Sequence, residues 1–593
     1  MCGIFLALDR ETYQSPSTQI QSLLKQRGPD SQRQIHFSIE PKSQEAASRQ
    51  DSPLTPRYQG DFPTANTSVH LSCLGSVLSL RGNQITKQPV SSSGKSDTSL
   101  SSFLCWNGEA WTFASTPIRG SDSAHVLDLL SYVCATSRNA GDETPELAIS
   151  EALSAYAGPY AFAYYDHLYR RIYCGRDFLG RRSLLSRRTH TGLVFSSTPD
   201  DEEGWAEVEA DGVYWVDLDV GSDLNLRKSA YRCTSDGGRS SRSTSPCELE
   251  LQRKPIADLD VHHAANGTID PVDCLHHLLH DALQSRLCTI PEMVPAHPPQ
   301  LNTRLAKVAV LFSGGIDCTM LARLAHDIID LNEPIDLLNV AFENPRVHRQ
   351  HKVAGESPYE QCPDRKTALT SLKELQTSCP GRNWNLVKVN VPYTEFRKHR
   401  PKVISLIRPH NTEMDLSIAT ALYFAARGIG LLEDDSLYET SARVLLSGLG
   451  ADELFAGYTR HATAYSRGGL NALEDELALD ISRLGKRNLG RDDRVISHWA
   501  KEARYPFLDE SLVKWALSAT LYEKCGFGIA PLPVDDHGAP LDPAKMIIRS
   551  LAVKLDMPGV AQEKKRAIQF GARTAKMEVR KTKGTQALTA MAA

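Results

Sequence analysis

The sequence has no long hydrophobic run, no strong excess of charge and no paired cysteine motif. No apolar stretch in the 593 residues approaches the roughly 20 residues of a membrane-spanning helix, so no membrane partner is expected. The formal net charge of −4 gives no electrostatic basis for binding nucleic acid. The 13 cysteines are scattered without a C-x-x-C pair, which argues against a disulfide framework or a zinc site and favours a reducing compartment.

A secretion signal is also missing. The apolar run Cys2–Leu8 has no basic residue before it and meets Asp9 directly, unlike a signal peptide. We therefore expect a cytoplasmic protein. The composition, 41% hydrophobic and 23% charged, is typical of a globular chain, and 593 residues predict two to four domains.

A phosphate-binding turn is predicted near the middle of the chain. Val308–Phe312 has the pattern of a buried parallel strand, and Ser313, Gly314 and Gly315 follow it, with Asp317 at the start of a predicted helix. Such a turn points backbone N–H groups and a helix dipole at one place, which suits a phosphate. The Walker A lysine is missing. The SGGxD turn instead resembles the pyrophosphate loop of enzymes that split ATP between its α and β phosphates, with Asp317 holding Mg²⁺.

A second turn of the same kind lies further along the chain. In Arg443–Tyr458 an apolar strand ends at Ser447, Gly448 follows, and Asp452 opens a helix. If the two strands are neighbours, Asp317 and Asp452 share one Mg²⁺ with the phosphates of ATP. A solvated pair of surface acids is the alternative interpretation.

The segments around these turns alternate between strand and helix patterns. We predict strands at Asp336–Ala341 and Trp384–Val391, and helices at Leu275–Leu287, Pro363–Leu375 and Leu416–Arg427. This alternation favours an α/β fold with a doubly wound parallel sheet, whose ligands bind at the carboxyl ends of the strands.

The N-terminus carries a different chemistry. Removal of Met1 would leave Cys2 with a free α-amine that can take the thiol proton, so Cys2 is a candidate nucleophile. Asn107 and Gly108 place an amide side chain beside a glycine N–H, a candidate oxyanion hole. Asp122 precedes a predicted helix at His125–Cys134. For Cys2 alone, the alternative is a small hydrophobe that starts a strand.

These motifs occur in the order of a known domain. Cys2-Gly3-Ile4, RGPD, NGE, GSD, GPYAFAYYD and RDFLGRR resemble the glutaminase domain of class II glutamine amidotransferases. The resemblance implies an N-terminal-nucleophile αββα sandwich, with Cys2 as nucleophile and Asn107 and Gly108 as the oxyanion hole. It also implies that Asp122 binds the ammonium group of glutamine. The family's arginine for the α-carboxylate of glutamine is not in register, and Arg81 is the nearest guanidinium.

The second half resembles the synthetase domain of asparagine synthetase. SGGID, SGLGADELFAGY, RDDR and RYPFLD carry this match, which spans about 275–575, and the similarity is greatest to the branch of asparagine synthetase domain-containing proteins. The resemblance implies that ATP and Mg²⁺ activate aspartate as an acyl-adenylate, and that ammonia from glutamine then displaces AMP. It assigns ATP binding to Ser313, Gly314, Gly315, Asp317, Cys318, Gly448 and Lys565, and the metal to Asp317 and Asp452. It allows a homodimer.

Two positions depart from this family. Cys318 replaces a serine of the loop, and Leu449 replaces a glutamate thought to deprotonate the attacking ammonia. Three interpretations therefore stay open: asparagine formation, the same chemistry on another carboxylate, and a degenerate member with a binding or regulatory role.

The predicted organisation has four regions. Residues 2–220 are the glutaminase domain, 221–270 a Ser-, Arg- and Gly-rich linker or insertion, 271–575 the synthetase domain and 576–593 a frayed tail. Surface loops are predicted between Ile35 and Asn66 and around Val90–Ser102.

Overall fold

The computed structural model describes residues 2–40, 68–82, 84–92, 101–219, 224–231, 270–291, 305–350, 357–535, 537–577 and 585–588. Up to residue 231 the strands are β1 (Gly3–Asp9), β2 (Ser31–Ile39), β3 (Val69–Val77), β4 (Val90–Ser91), β5 (Phe103–Gly108), β6 (Thr112–Phe113), β7 (Thr116–Pro117), β8 (Tyr156–Ala157), β9 (Tyr160–Asp166), β10 (Arg171–Arg176), β11 (Leu185–Arg188), β12 (Gly192–Ser196), β13 (Ala206–Glu207), β14 (Gly212–Asp217) and β15 (Arg227–Ala230). The helices of this part are α1 (Thr18–Arg27), α2 (Asp122–Asn139) and α3 (Glu146–Ser154).

Two antiparallel sheets of six strands form the centre of this first part. Their strand orders are β13-β11-β12-β1-β3-β2 and β15-β14-β10-β9-β5-β4, and β6, β7 and β8 form a small third sheet. Apolar side chains of β1, such as Ile4 and Leu6, join Phe103 and Ala163 of the other sheet in one buried cluster. Helix α1 packs on the outer face of the first sheet through Ile20, and α2 and α3 cover the second. Burial on both faces explains why β1 is apolar at nearly every position.

The second part is built around one seven-stranded sheet. Its strands are β16 (Val308–Leu311), β17 (Ile335–Phe342), β18 (Trp384–Val391), β19 (Ile429–Leu431), β20 (Leu437–Glu439), β21 (Val444–Leu446) and β22 (Glu502–Arg504). Its helices are α4 (Pro271–Leu287), α5 (Ile316–Ile328), α6 (Pro345–Gln350), α7 (Pro363–Ser378), α8 (Tyr393–Ile407), α9 (Glu413–Arg427), α10 (Ala451–Leu454), α11 (Thr459–Arg487), α12 (Leu489–Ser497), α13 (Glu510–Ser518), α14 (Leu521–Lys524), α15 (Met546–Lys554), α16 (Pro558–Ala561) and α17 (Ile568–Gly571).

The strand order of this sheet determines where ligands can bind. The order is β20-β19-β18-β17-β16-β21-β22, with β18, β17, β16, β21 and β22 parallel. The chain moves from β16 outwards to β18 on one side and later continues on the other side of β16 with β21. The order therefore reverses between β16 and β21, and the loops that follow these two strands border the resulting crevice.

The mixed α/β class is confirmed, and so are the predicted strands β17 and β18 and the helices α4, α7 and α9. The antiparallel strands β19 and β20 at one edge were not predicted. The linker prediction for 221–270 is wrong at Arg227–Ala230, because these residues form β15 against β14. The loop predicted from Ile35 begins later, since β2 continues to Ile39. The loop predicted around Val90–Ser102 is wrong at Val90–Ser91, because these residues form β4 against β5. Within the predicted loops and linker, residues 41–66, 93–100, 221–223 and 232–269 lie outside the described part.

The tail prediction also needs a correction. Ala587 pairs with Thr412 in a β-bridge, and the backbone N–H of Leu588 donates to the carbonyl of Asn411 over 2.6 Å. Residues 585–588 are therefore docked at the start of α9 rather than frayed. Among the described residues, none of the helices combines the length and the apolar character needed to cross a membrane.

Candidate active site

The candidate nucleophile lies at the start of β1, below the surface. Cys2 is only 8% exposed, and its sulfur accepts a hydrogen bond from Gln88 Nε2 at 3.5 Å. Burial raises the pKa of the Cys2 thiol to about 11, and the nearby carboxylates of Asp122 and Glu109 add to the rise. The thiol is thus protonated at neutral pH and needs a base to react. Met1, whose removal would supply an amine, lies outside the described residues.

The candidate oxyanion hole lies at the end of β5. Asn107 is fully buried, and neither its amide nitrogen nor its amide oxygen has a hydrogen-bond partner among the described residues. An unpaired buried amide is costly, so its two atoms are available to a ligand. Gln88 links this strand to the nucleophile, because its Oε1 accepts from the Trp106 backbone N–H over 2.6 Å while its Nε2 reaches Cys2.

Asp122 is held rigidly at the first turn of α2. Its Oδ2 accepts from the Trp106 indole N–H at 3.1 Å and from the Ala110 backbone N–H at 3.0 Å. Burial raises the pKa of this carboxyl, against the opposing effects of Arg81 and these hydrogen bonds. The carboxyl is therefore fixed between β5 and α2, and its role toward glutamine stays a prediction.

Arg81 has a different environment from the one expected of a glutamine-binding side chain. Its Nε donates to the carbonyl of Gly120 at 3.1 Å, and its two terminal nitrogens donate to the carbonyls of Ala110 and Ile118. A carboxylate oxygen of Glu109 lies 3.7 Å away. The guanidinium thus braces the segment that carries Asp122, and its role toward glutamine stays a prediction.

The second candidate site is a cavity of about 410 Å³ in the crevice between β16 and β21. The predicted residues that line it are Ser313, Gly315, Asp317, Cys318, Gly448, Asp452 and Lys565. Leu311, Leu338 and Ile418 form part of an apolar wall that suits a nucleobase.

Gly314 has a structural reason to be glycine. Its φ is +79°, and a Cβ there would lie 2.4 Å from the backbone nitrogen of Ala368 on α7. The loop after β16 can therefore pack this closely on α7 only without a side chain. At Gly448, a Cβ would lie 2.8 Å from the Cβ of Asp317, so the two loops also approach each other closely.

The two predicted metal ligands both pair with the ammonium group of one lysine. Lys545 Nζ lies 2.6 Å from a carboxylate oxygen of Asp317 and 2.6 Å from one of Asp452, and Lys565 also pairs with Asp452. Burial alone would raise the pKa of Asp452, but the two ammonium groups outweigh burial and hold it well below its ordinary value. Burial likewise opposes the charge on Lys545, yet Asp317 and Asp452 raise its pKa above its ordinary value.

This arrangement fits a magnesium ion bound together with phosphates. Among the described residues, no group of three or more His, Cys, Asp or Glu side chains is arranged to hold a metal ion. Mg²⁺ in nucleotide sites typically takes one or two carboxylates and completes its shell with phosphate oxygens and water. Asp317 and Asp452, which face the same cavity, supply that pair.

The two departures from the family pattern both face this cavity. The Cys318 thiol donates to the carbonyl of Gly315 over 3.2 Å, so it braces the loop, and burial raises its pKa. Leu449 lines the cavity without a group that can accept a proton. The carboxyl group of Glu453 also lines this cavity. It is buried and accepts a hydrogen bond from the Tyr458 hydroxyl over 2.7 Å.

Several residues of the two sites were missed by sequence reasoning. They include Lys545, which lies in no recognised motif, Gln88, which contacts Cys2, and Glu109, which lies between Arg81 and Arg504. Glu109 carried a signal, since it is the last residue of the NGE motif, but its contacts with Arg81 and Arg504 were not predicted. Lys545 carried none, because tertiary packing alone brings it to the two carboxylates.

Comparison with known proteins identifies the family. The family model described as Asparagine synthase matches residues 301–473 and 465–581. Asparagine synthetase domain-containing protein 1 of Mus musculus is 34% identical over 631 residues, covering 92% of this chain and 96% of its own length. A protein of Methanocaldococcus jannaschii named putative asparagine synthetase [glutamine-hydrolyzing] 1 is 32% identical over 220 residues, 37% of this chain and 34% of its own.

One structural neighbour is the glutamine phosphoribosylpyrophosphate amidotransferase from B. subtilis complexed with ADP and GMP. It is 14% identical, covers 61% of this chain and 70% of its own, and has a TM-score of 0.24, too low to support an argument about the fold. The family assignment rests on the mouse relative, because its similarity extends over nearly the full length of both chains. The chain belongs to the asparagine synthase family, among the asparagine synthetase domain-containing proteins.

Proposed function

We propose that this chain is a glutamine-dependent, ATP-using enzyme that converts a carboxylate, by default aspartate, to its amide. The observation that carries the proposal is that Asp317 and Asp452 line one cavity together with both glycine-rich loops and both pair with the ammonium group of Lys545. Residues 2–220 would form the N-terminal-nucleophile glutaminase domain and residues 271–575 the doubly wound synthetase domain.

The first half-reaction releases ammonia from glutamine. The Cys2 sulfur attacks the side-chain amide carbon, a glutamyl thioester forms, and ammonia leaves with the proton taken from the thiol. The unpaired Asn107 amide and the Gly108 N–H are suited to stabilise the negative oxygen. Asp122 would bind the ammonium group of glutamine, and water then hydrolyses the thioester to glutamate.

The second half-reaction activates the acceptor. An oxygen of the aspartate side-chain carboxylate attacks the α-phosphorus of ATP, and pyrophosphate leaves. Bound Mg²⁺ would neutralise developing charge on the phosphates, held there by Asp317 and Asp452. Lys545 and Lys565 add positive charge beside the same carboxylates. Ammonia then displaces AMP, so that aspartate, glutamine, ATP and water give asparagine, glutamate, AMP and pyrophosphate.

The test is AMP and pyrophosphate release by the purified protein with ATP, Mg²⁺ and glutamine, with and without aspartate. Cys2→Ala is expected to lose the activity with glutamine and to keep it with ammonium chloride. Cys174→Ala, at another buried cysteine remote from the site, is expected to keep both. Release that does not depend on aspartate would direct the search to another carboxylate, and the absence of any ATP consumption would refute the proposal.

A further inference from the structure

Arg27, the last residue of α1, connects the candidate nucleophile to the second part of the chain. Its side chain is completely buried, and its Nε donates to the carbonyl of Cys2 over 2.7 Å. Its two terminal nitrogens donate to Ser497 Oγ and to Asp493 Oδ2, each over 2.6 Å. Ser497 and Asp493 both belong to helix α12, so this helix holds both terminal nitrogens of the guanidinium.

Helix α12 also reaches the second candidate site. Arg491 and Asp492, near its start, line the cavity between β16 and β21. Arg491 pairs with Asp415 at 2.7 Å, and the whole of α12 is buried. The first turn of this short helix therefore lines the cavity between β16 and β21, and the residues that follow contact Arg27.

A second contact joins the same two regions. Arg504, in the strand that follows α12, lies with Nη2 3.6 Å from a carboxylate oxygen of Glu109, the residue after Gly108. Its Nε donates to Glu502 over 2.7 Å. The segment 489–504 thus approaches both the nucleophile and the candidate oxyanion hole.

We propose that Arg27 is a positioning residue for Cys2. Asp493 and Ser497, on helix α12 of the second part of the chain, hold Arg27 and so complete the glutaminase site. This inference rests on the proposed glutaminase half-reaction. Cys2 immediately precedes β1, and the charge-assisted bond from Arg27 holds its carbonyl in place. A displacement of about 1 Å at a reacting group can lower a rate about 100-fold.

The experiment measures glutamine hydrolysis by the full chain without ATP or aspartate. Asp493→Asn is expected to lower kcat about tenfold and to change KM for glutamine less than twofold, because Arg27 contacts the backbone of Cys2 and not the predicted glutamine pocket. Ser497→Ala removes the hydroxyl that accepts from Arg27 and donates to the carbonyl of Arg494, and it is expected to lower kcat about threefold. It serves as the second variant if Asp493→Asn does not fold.

Glu207→Gln is the matched control. Glu207 is partly buried, belongs to the first part of the chain and pairs at 2.6 Å with Arg494, which also lies on α12. This substitution breaks a comparable ion pair with the same helix but leaves Arg27 untouched, so kcat is expected to stay within twofold of the unmodified protein. Arg27→Lys is expected to recover most of the rate that Arg27→Met loses.

A second readout does not require turnover. The rate at which iodoacetamide alkylates Cys2, followed by mass spectrometry, is expected to change in Asp493→Asn and not in Glu207→Gln. Equal effects of these two variants on kcat and on alkylation would overturn the inference and leave the glutaminase proposal standing. An unmodified protein that hydrolyses no glutamine, with Cys2 unreactive, would overturn both.

Discussion

Lys545 Nζ lies 2.6 Å from a carboxylate oxygen of Asp317, although no sequence motif connects the two residues. The same ammonium group lies 2.6 Å from Asp452, and its side chain is only 1% exposed. The loops after β16 and β21 are therefore joined by one buried positive charge. Without that charge, two carboxylates would face each other in a partly buried site.

Lys545→Met is accordingly expected to destabilise the protein by about 3–5 kcal/mol, the usual cost of leaving buried charge unpaired. Millimolar Mg²⁺ is expected to recover part of this loss, because a divalent cation can bind both carboxylates. Urea unfolding with and without Mg²⁺ measures both effects. Lys501→Met is the control, since Lys501 donates to the carbonyls of Thr440 and Ala442, and its response to Mg²⁺ should match that of the unmodified protein. An equal response of the two variants would contradict the magnesium assignment.

Asn107→Ala is expected to lower kcat for glutamine hydrolysis about 100- to 1,000-fold, the range measured for the loss of an oxyanion-hole donor. Its effect on unfolding should be small, because neither amide atom of Asn107 bonds to a described residue. Asn344→Ala should show the reverse, since that amide donates to the carbonyls of Arg573 and Ala575. Steady-state kinetics and thermal unfolding of both variants give the comparison. A large stability loss in Asn107→Ala with kcat unchanged would remove the oxyanion assignment.

The parallel sheet was largely predictable because its strands are uniform apolar runs bounded by turns. β18 was predicted with the bounds it has, and the two glycine-rich turns placed Asp317 and Asp452 at strand ends. That β21 lies directly beside β16 depends on the order of strands, which a single sequence suggests only through analogy of fold. The convergence on Lys545 depends on packing of α15 against α4 and α5 and had no local signal.

The antiparallel part was harder to predict. β15 lies in a polar, Ser- and Arg-rich segment, and its strand conformation comes from pairing with β14 rather than from residue preference. Arg27 begins the recognised RGPD motif, yet its contact with Cys2, like that of Gln88, joins residues far apart in the sequence. Roles that depend on contacts between distant segments are the ones that sequence patterns could not supply.

Glu109 should make stability depend on pH near neutrality. Burial and the neighbouring carboxylate of Glu502 raise the pKa of Glu109 to about 8, against an ordinary value of 4.5. Between these values the folded protein binds more protons than the unfolded chain, so this group's contribution to stability falls as the pH rises from 4.5 to 8. Glu109→Gln should abolish this decline, which is about 1 kcal/mol per pH unit.

Urea unfolding between pH 5 and pH 8 measures that slope. Glu207→Gln is the control, because the arginine and histidine partners of Glu207 outweigh its burial and hold its pKa at about 2, outside the window. The slope of this control should match that of the unmodified protein. A Glu109→Gln variant with an unchanged slope would show that Glu109 is ionised across the range.

Leu449 lines the cavity at the position where the family resemblance implies a glutamate. If ammonia must lose a proton there, Leu449→Glu supplies an acceptor and should raise aspartate-dependent amide formation about 100-fold, the lower end of what a positioned base contributes. Leu449→Gln has nearly the same size but cannot take the proton, so it should stay near the unmodified protein. ATP–pyrophosphate exchange in the presence of aspartate should be similar in all three proteins, because Asp317 and Asp452 are retained. Equal gains in the two variants would assign the effect to polarity rather than to proton transfer. Exchange that never depends on aspartate, even in Leu449→Glu, would show that the cavity accepts a different carboxylate.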